Sequence, residues 1–481
     1  MIVGRRKDIF GHRGWLAAAA LTAALAGCAV GPDYHRPAAA VPETFSGETN
    51  IWKVAEPSAH LPKGNWWEVF KDAELNRLEM EAATANQELK TAVAVFEQAR
   101  ALVNVSRAGF FPHVGLNPSF TRERDSANRP INGVSNGKPD TYNNFTVPLD
   151  AGYELDFWGH IRRNVEAAKA SRQASAADLE TTRLAIQAEL ATDYFTLHAL
   201  DAEIALLRSS VEVFQKSLEL TKNRRAGGIA TDLDVAQAET VLKTTEAQLP
   251  VTLLQRIRVE HALAVLAGRP ASGFAVAEKS LTLEPPILPA GVPSKLLERR
   301  PDIAAAESRV TAANANIGVA TAAFYPTVQL NGLAGFESVS AGTLFSWPSR
   351  IWSFGPTISA PIFEGGQLKA NLRAAKAAYD QTVAQYRQTV LTAFAEVEDN
   401  LAAQQLLVAE SRAQDAALQA ARKTLDIANN RYRAGLITYL EVATAQNAAL
   451  DLERTAVRLH GDQLVTTVAL LKSLGGGWKT E

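Results

Sequence analysis

Cysteine is almost absent from this chain: among 481 residues there is one, Cys28. No disulfide can form within the chain, so neither a cystine-stapled domain nor a cysteine-built metal site holds the fold. An excess of charge of either sign is missing as well. The 49 Lys and Arg stand against 51 Asp and Glu, a formal net charge of -2 that gives no signature of a nucleic-acid binder. The 8 histidines are scattered, with no metal-ligand spacing, and no nucleophile elbow or dinucleotide loop occurs. Acids such as Glu396, Glu398 and Asp399 fall in helical tracts and read as solvated or interhelical charges. The expectation is a protein without catalytic residues, metal or cofactor.

Glycine and proline are missing from two long tracts, His160 to Ala226 and Gln367 to Ala434. Apolar residues there recur at helical spacing, as in Leu179, Leu184, Ile186, Leu190, Phe195 and Leu197. Without a breaker each tract predicts one helix of about 100 Å at 1.5 Å per residue. Helices of that length need burial along their whole course, and their abundant alanine permits close approach, so coiled-coil pairing is expected.

The N-terminus carries Arg5, Arg6, Lys7 and Arg13, then an apolar stretch from Trp15 to Leu25 that is too short to span a bilayer. It reads as a secretory signal. Leu25-Ala26-Gly27-Cys28 resembles the bacterial lipoprotein signal, which implies cleavage before Cys28 and a covalent lipid on its thiol. Ala29 follows where an Asp would resemble an inner-membrane retention signal, so the outer membrane of a Gram-negative bacterium is the expected destination.

The chain also repeats itself. A shift of 207 lays Asn223-Arg224 on Asn430-Arg431, Gly228 on Gly435, Thr231 on Thr438, Leu233 on Leu440 and Gly159 on Gly366. A shift of 214 lays Phe110, Pro112, Val114 and Leu116 on Phe324, Pro326, Val328 and Leu330. This is a tandem duplication. Each copy holds two segments of period two. In Phe145, Val147, Leu149, Ala151, Tyr153, Leu155 and Phe157 the apolar or small residues take alternate positions, with mostly polar residues between them. Val114 to Arg124, Val328 to Ser338 and Trp352 to Ile362 complete a set of four one-sided strands, and Asp125 to Thr141 reads as an exposed hairpin loop.

Aromatic residues gather where strands meet helices: Phe110, Phe111, Phe157, Trp158, Phe324, Tyr325 and Phe363. They read as an interfacial membrane girdle, the alternative being a core where strands dock on helices. Four strands cannot close a barrel, and an open edge in hydrocarbon costs several kcal/mol per unpaired group. Several chains must share one barrel. Two would give eight strands and a filled interior, whereas three give twelve and leave room for water.

The start Cys28-Ala29-Val30-Gly31-Pro32-Asp33-Tyr34, the motifs Phe111-Pro112 and Tyr325-Pro326, the Arg300-Pro301-Asp302-Ile303 segment and the duplicated Gly-x-x-Thr-x-Leu turns resemble the TolC-like outer membrane factors, in particular the lipoproteins serving resistance-nodulation-division (RND) efflux pumps. The resemblance implies a mainly α fold with a small membrane β part: a homotrimer with a periplasmic α-barrel of long helices and a shared twelve-stranded transmembrane β-barrel. It implies a passive channel for small toxic compounds, joined by a periplasmic adaptor to an inner-membrane RND pump. The turns would be the adaptor-docking tips, with Arg224, Gly228, Thr231, Arg431, Gly435 and Thr438. The glycines permit the reversal, and the threonines can cap the helices that follow. Asp234, Tyr432 and Glu441 take the positions of the family's periplasmic gate, where Tyr432 could donate to Asp234 and a ring of Glu441 carboxylates could favour cations. Thr444 and Ile437 stand where some relatives carry a further acid and an arginine.

On this reading residues 1–27 are the signal peptide, 28–65 a lipid-anchored segment, and 66–270 the first repeat with strands at about 112–124 and 143–157. Residues 271–300 form a linker, 301–474 the second repeat with strands at about 326–338 and 351–363, and 475–481 a tail. Two other functions stay open: a duct for type I protein secretion, and a lipid-anchored coiled-coil protein that conducts nothing.

Overall fold

The computed structural model describes residues 29–38, 64–124, 126, 141–279, 281, 283–286 and 299–476. The segment expected to be a signal peptide, the expected lipid site Cys28, most of the first hairpin loop and residues 477–481 lie outside them. The described residues fall into two compact units, one bounded by residues 1–37, 97–174 and 306–385, the other by 38–96, 175–305 and 386–481.

The duplication is visible in helix lengths. Helix α1 is Ala73–Ala85, and α2 (Gln87–Ala108), α3 (His160–Ala226) and α4 (Asp232–Leu266) have 22, 67 and 35 residues. Their counterparts α5 (Pro301–Ala322), α6 (Gln367–Arg433) and α7 (Tyr439–Ser473) have the same 22, 67 and 35. Both long tracts are single helices, as the lack of Gly and Pro predicts. No described helix is long and apolar enough to cross a membrane.

In the first unit the strands β1 (His113–Leu116), β2 (Ser119–Arg124), β3 (Thr141–Leu155), β4 (Thr327–Ser338) and β5 (Arg350–Ser359) form one antiparallel sheet. Its order is β1-β3-β4-β5, with β2 continuing beside β3. The single strand expected over 112–124 is thus two, parted at Asn117 and Pro118, because Pro118 has no N–H to give the ladder. Register survives the gap: Leu116 faces Leu149 and Ser119 faces Thr146. The last strand ends at Ser359 instead of 363, where its partner Thr327 begins β4 and Pro361 removes a further donor.

Pairing places Val114, Leu116, Phe120, Phe145, Val147, Leu149, Leu330, Phe336, Trp352, Phe354 and Ile358 on one face. The other face holds Ser119, Thr121, Thr146, Asp150, Gln329, Asn331, Ser353 and Thr357. Among the described residues most of the apolar face is bare: Trp352 is 81% exposed, Phe354 74% and Ile358 69%. That is the reverse of a soluble sheet, whose apolar side is buried.

The second unit has an ordinary core. Trp66, Phe70, Leu75, Leu78, Tyr194, Phe195, Leu263 and Leu464 are buried together, with the Phe70 and Phe195 rings 4.7 Å apart. Asp72 caps α1 by accepting from the Glu74 and Leu75 amides, and also accepts from Tyr194 Oη and Lys279 Nζ. Glu79 on the same helix is fully buried, and that burial pushes its carboxyl up to about 9. Arg300 is buried between Asp302 at 2.7 Å and Glu396 at 2.6 Å, so Glu396 is an ion-pair partner between elements.

Candidate functional site

The two helical turns are built alike from backbone bonds. After α3, the Gly228 amide donates to Arg225 O and the Ile229 amide to Arg224 O; after α6, Gly435 donates to Tyr432 O and Leu436 to Arg431 O, each at 2.9 Å. This closure needs a left-handed residue. Gly228 and Gly435 supply it at φ +73° and +76°, and Gly159 and Gly366 do so at +81° and +90° where strand segments turn into helices. The four glycines paired by the sequence shift therefore share a geometric duty.

Capping is where the copies part. Thr231 accepts from the Asp234 amide, and the Asp234 carboxylate accepts from the Thr231 amide and hydroxyl, a complete capping box. Thr438 makes no side-chain cap, contrary to expectation. The second oxygen of Asp234 does that job instead, accepting from the Tyr439 amide at 3.0 Å, so one carboxylate caps both α4 and α7. Burial alone would push the Asp234 carboxyl up. The Thr231 and Tyr439 amides, the Thr231 hydroxyl and the nearby Arg224 charge outweigh it and hold the group below the usual aspartate range.

Tyr432 is buried, but within the chain its hydroxyl donates to Thr221 Oγ1 at 3.4 Å and not to Asp234. The reason is Tyr439, whose ring packs edge-on at 5.4 Å and whose amide occupies the carboxylate. Arg224 stacks over the Tyr432 ring at 4.7 Å and donates to Arg433 O at 2.9 Å, whereas its counterpart Arg431 is exposed. Arg224 and Asp234 thus grip backbone groups on either side of the second turn. Glu441 stands on the exposed face of α7. Also exposed are Ile229 (67%), Leu233 (66%), Leu436 (69%) and Leu440 (55%), two duplicated apolar pairs.

In the first unit the seven aromatic residues all lie where strand segments meet helices. Phe111 and Phe363 are 70% and 88% exposed, while Phe157 is half-buried. Trp158 stacks on Tyr325 at 4.7 Å and donates its indole N–H to Pro326 O at 2.7 Å.

Sequence reasoning missed the strap beside them. Residues 29–36 are held by the Val30 amide on Trp158 O, by buried Arg163 on Val30 O and Asp33, by Asn314 on Pro32 O, and by Arg36 on Glu307. Gly31, at φ +101°, passes so close to α5 that a Cβ would lie 2.5 Å from Gly318 Cα. The available signal was Gly318, an isolated glycine in a helical pattern, which marks a close approach.

A family model described as outer membrane efflux protein matches residues 79–269 and 292–476. The chain belongs to the outer membrane efflux protein family. Outer membrane protein OprJ of Pseudomonas aeruginosa is 34% identical over 477 residues, 98% of this chain and 97% of that protein. The cation efflux system protein CusC of Escherichia coli is 30% identical over 457 residues, 95% and 97% of the two. The solved outer-membrane channel OprN matches with a TM-score of 0.84 at 31% identity, over 94% of this chain and 100% of OprN. This outer membrane efflux protein is therefore a channel of the TolC-like kind, mainly helical with a small β part, as its motifs implied. A coiled-coil protein that conducts nothing, one of the functions the sequence left open, is set aside.

Proposed function

We propose that three copies of this chain close one twelve-stranded barrel in the outer membrane and continue into the periplasm as a barrel of helices. The trimer would passively conduct small toxic compounds delivered by an inner-membrane RND pump through a periplasmic adaptor. The observation that carries this is the sheet: one face is apolar and mostly bare, and both edges, β1–β2 and β5, are unpaired among the described residues. Hydrocarbon accepts such a face and rejects such edges, so edges of neighbouring chains must pair. Chains that pair β5 to β1–β2 around a threefold axis satisfy every edge.

In this reading the aromatic residues at the strand–helix junctions form the headgroup-level girdle. A diacylglyceryl group on Cys28 would enter the bilayer at that level, because Ala29 lies against Gly159 beside Trp158. The adaptor would dock on the tips through Gly228, Thr231, Gly435 and Thr438 and the exposed pairs Ile229/Leu233 and Leu436/Leu440, while Arg224 is engaged inside. Asp234, Tyr432 and Glu441 would form the gate, with Glu441 turned to the constriction. The names of the relatives favour efflux over type I secretion: CusC is named for cation efflux and TtgC of Pseudomonas putida as a probable efflux pump protein.

The test is a cysteine scan. With Val114→Cys on one edge, cysteines are placed in turn at Trp352, Phe354 and Ile358 on the other. Within one chain these edges are three strand spacings apart, about 15 Å, and a disulfide spans at most about 7 Å between Cα atoms. Oxidation should give a ladder ending at three chains. Chains that never crosslink at any of these positions would overturn the shared barrel.

A further inference from the structure

The outward face of the sheet carries charge at one end only. Because the register holds through every pairing, that face is made of even-numbered residues on β1, β2, β4 and β5 and odd-numbered residues on β3. Along it, among the described strand residues, the charged side chains are Arg122, Arg124 and Arg350. No Asp or Glu among the described strand residues shares the face. The strand carboxylates Glu123, Asp150, Glu154 and Glu337 all lie on the opposite one. All three arginines are exposed, and all sit at the hairpin end of the sheet, away from the helices.

Rings mark the same depth. Phe120 and Phe145 pack at 4.7 Å, Phe336 and Phe345 at 5.5 Å, and Phe345 and Trp347 are 70% and 73% exposed. The Arg350 guanidinium lies 3.0 Å over the Trp347 ring, and its Nε donates to Trp347 O at 2.8 Å. That fixes the plane of the fork. A segregated row of cations on a lipid-facing surface calls for an anionic partner at headgroup depth, and planar guanidinium suits phosphate, which it binds in bidentate fashion.

We propose that Arg122, Arg124 and Arg350 bind the phosphate groups of a phosphorylated glycolipid in the outer leaflet. The proposal rests on the shared-barrel reading, because Arg350 lies on one edge strand and Arg122 and Arg124 on the other. Barrel closure brings the two sets to each junction between chains. Three equivalent sites result, each staggered across a seam, so a bound lipid would also bridge neighbouring chains.

The test uses the full-length lipidated protein in phosphatidylcholine nanodiscs, doped with bis-phosphorylated lipid A or with its dephosphorylated form, and native mass spectrometry of the retained lipid. Wild type should retain lipid A, and retention should be weaker by roughly tenfold or more for the dephosphorylated form and for the R122Q/R124Q/R350Q variant. Millimolar inorganic phosphate should not displace it. Equal retention by the variant, or of the dephosphorylated lipid, overturns the site, and displacement by inorganic phosphate assigns it to a free anion. The same spectra count chains. A trimer with no preference for lipid A sinks this proposal alone, whereas monomers sink the shared barrel and the seam site with it, and any lipid A they still select is held by arginines of one edge acting separately.

Discussion

Replacing Asp234 by Ala removes three acceptor contacts at once and should loosen both helical turns. The capping box is worth about 1 kcal/mol, and the charged hydrogen bond to the Tyr439 amide about 1.5–3 kcal/mol. Together they stabilise the tip against local opening by about 2.5–4 kcal/mol, or roughly 60- to 700-fold in the opening equilibrium at 1.4 kcal/mol per decade. Hydrogen exchange reads this directly: protection of the Tyr439 amide and the first turn of α7 should fall by that factor, along with that of the Thr231 turn. Asp234→Asn should fall in between, since it keeps one acceptor and loses the charge. Glu441→Ala, on the exposed face, should leave both turns unchanged. The carboxyl is held below its ordinary value, so its contribution is fully present above about pH 4 and is lost only as pH falls through the lower folded value. Protection should therefore be flat across neutral pH. If Asp234→Ala loosens the Thr231 turn but leaves Tyr439 protected, the cap between the hairpins does not hold the second turn.

The same carboxylate shows what the sequence could and could not disclose. Helix lengths, the duplication and the one-sided strands were legible because they rest on local periodicity and on missing breakers, both printed in the chain. Thr231 as a cap was legible for the same reason, since its partner is three residues away. Thr438 looked equivalent, yet its duty passed to a group 205 residues distant from Tyr439, and no local pattern records that. Within the chain the Tyr432 hydroxyl bonds Thr221 and the Asp234 carboxylate takes the Tyr439 amide, contacts that no local pattern announces either. The strap of residues 29–36 was invisible because Arg163, Asn314 and Glu307 look like ordinary helix-surface residues until Gly31 meets Gly318. Strand ends were missed by a few residues where proline removes a ladder donor, at Pro118 and Pro361.

Four further outcomes are expected. Gly435→Ala should destabilise the second turn by about 1–2 kcal/mol through backbone strain alone, since no neighbouring atom crowds the site closely; hydrogen exchange should show a loss confined to that turn. Gly31→Ala forces a Cβ against Gly318 and should release the strap, seen as faster proteolysis within residues 29–38 with the helices intact. Glu79→Gln should flatten the dependence of stability on pH: a carboxyl raised to about 9 favours the folded state fully below about pH 4 and less as pH climbs towards 9, so the variant should gain in chemical denaturation at pH 8 and change little at pH 4. Cys28→Ala should abolish labelling by radioactive fatty acid, and continued labelling would refute the lipid anchor.

Three chains sharing one barrel would leave no sheet edge open, and the count of chains per particle tests that most directly. Mass measurement of the protein extracted in mild detergent, corrected for bound detergent and lipid, should give three chains of 51.8 kDa before lipidation and signal removal are allowed for. A stable, folded particle of one chain, with the bare apolar face and both sheet edges unpaired, would contradict it.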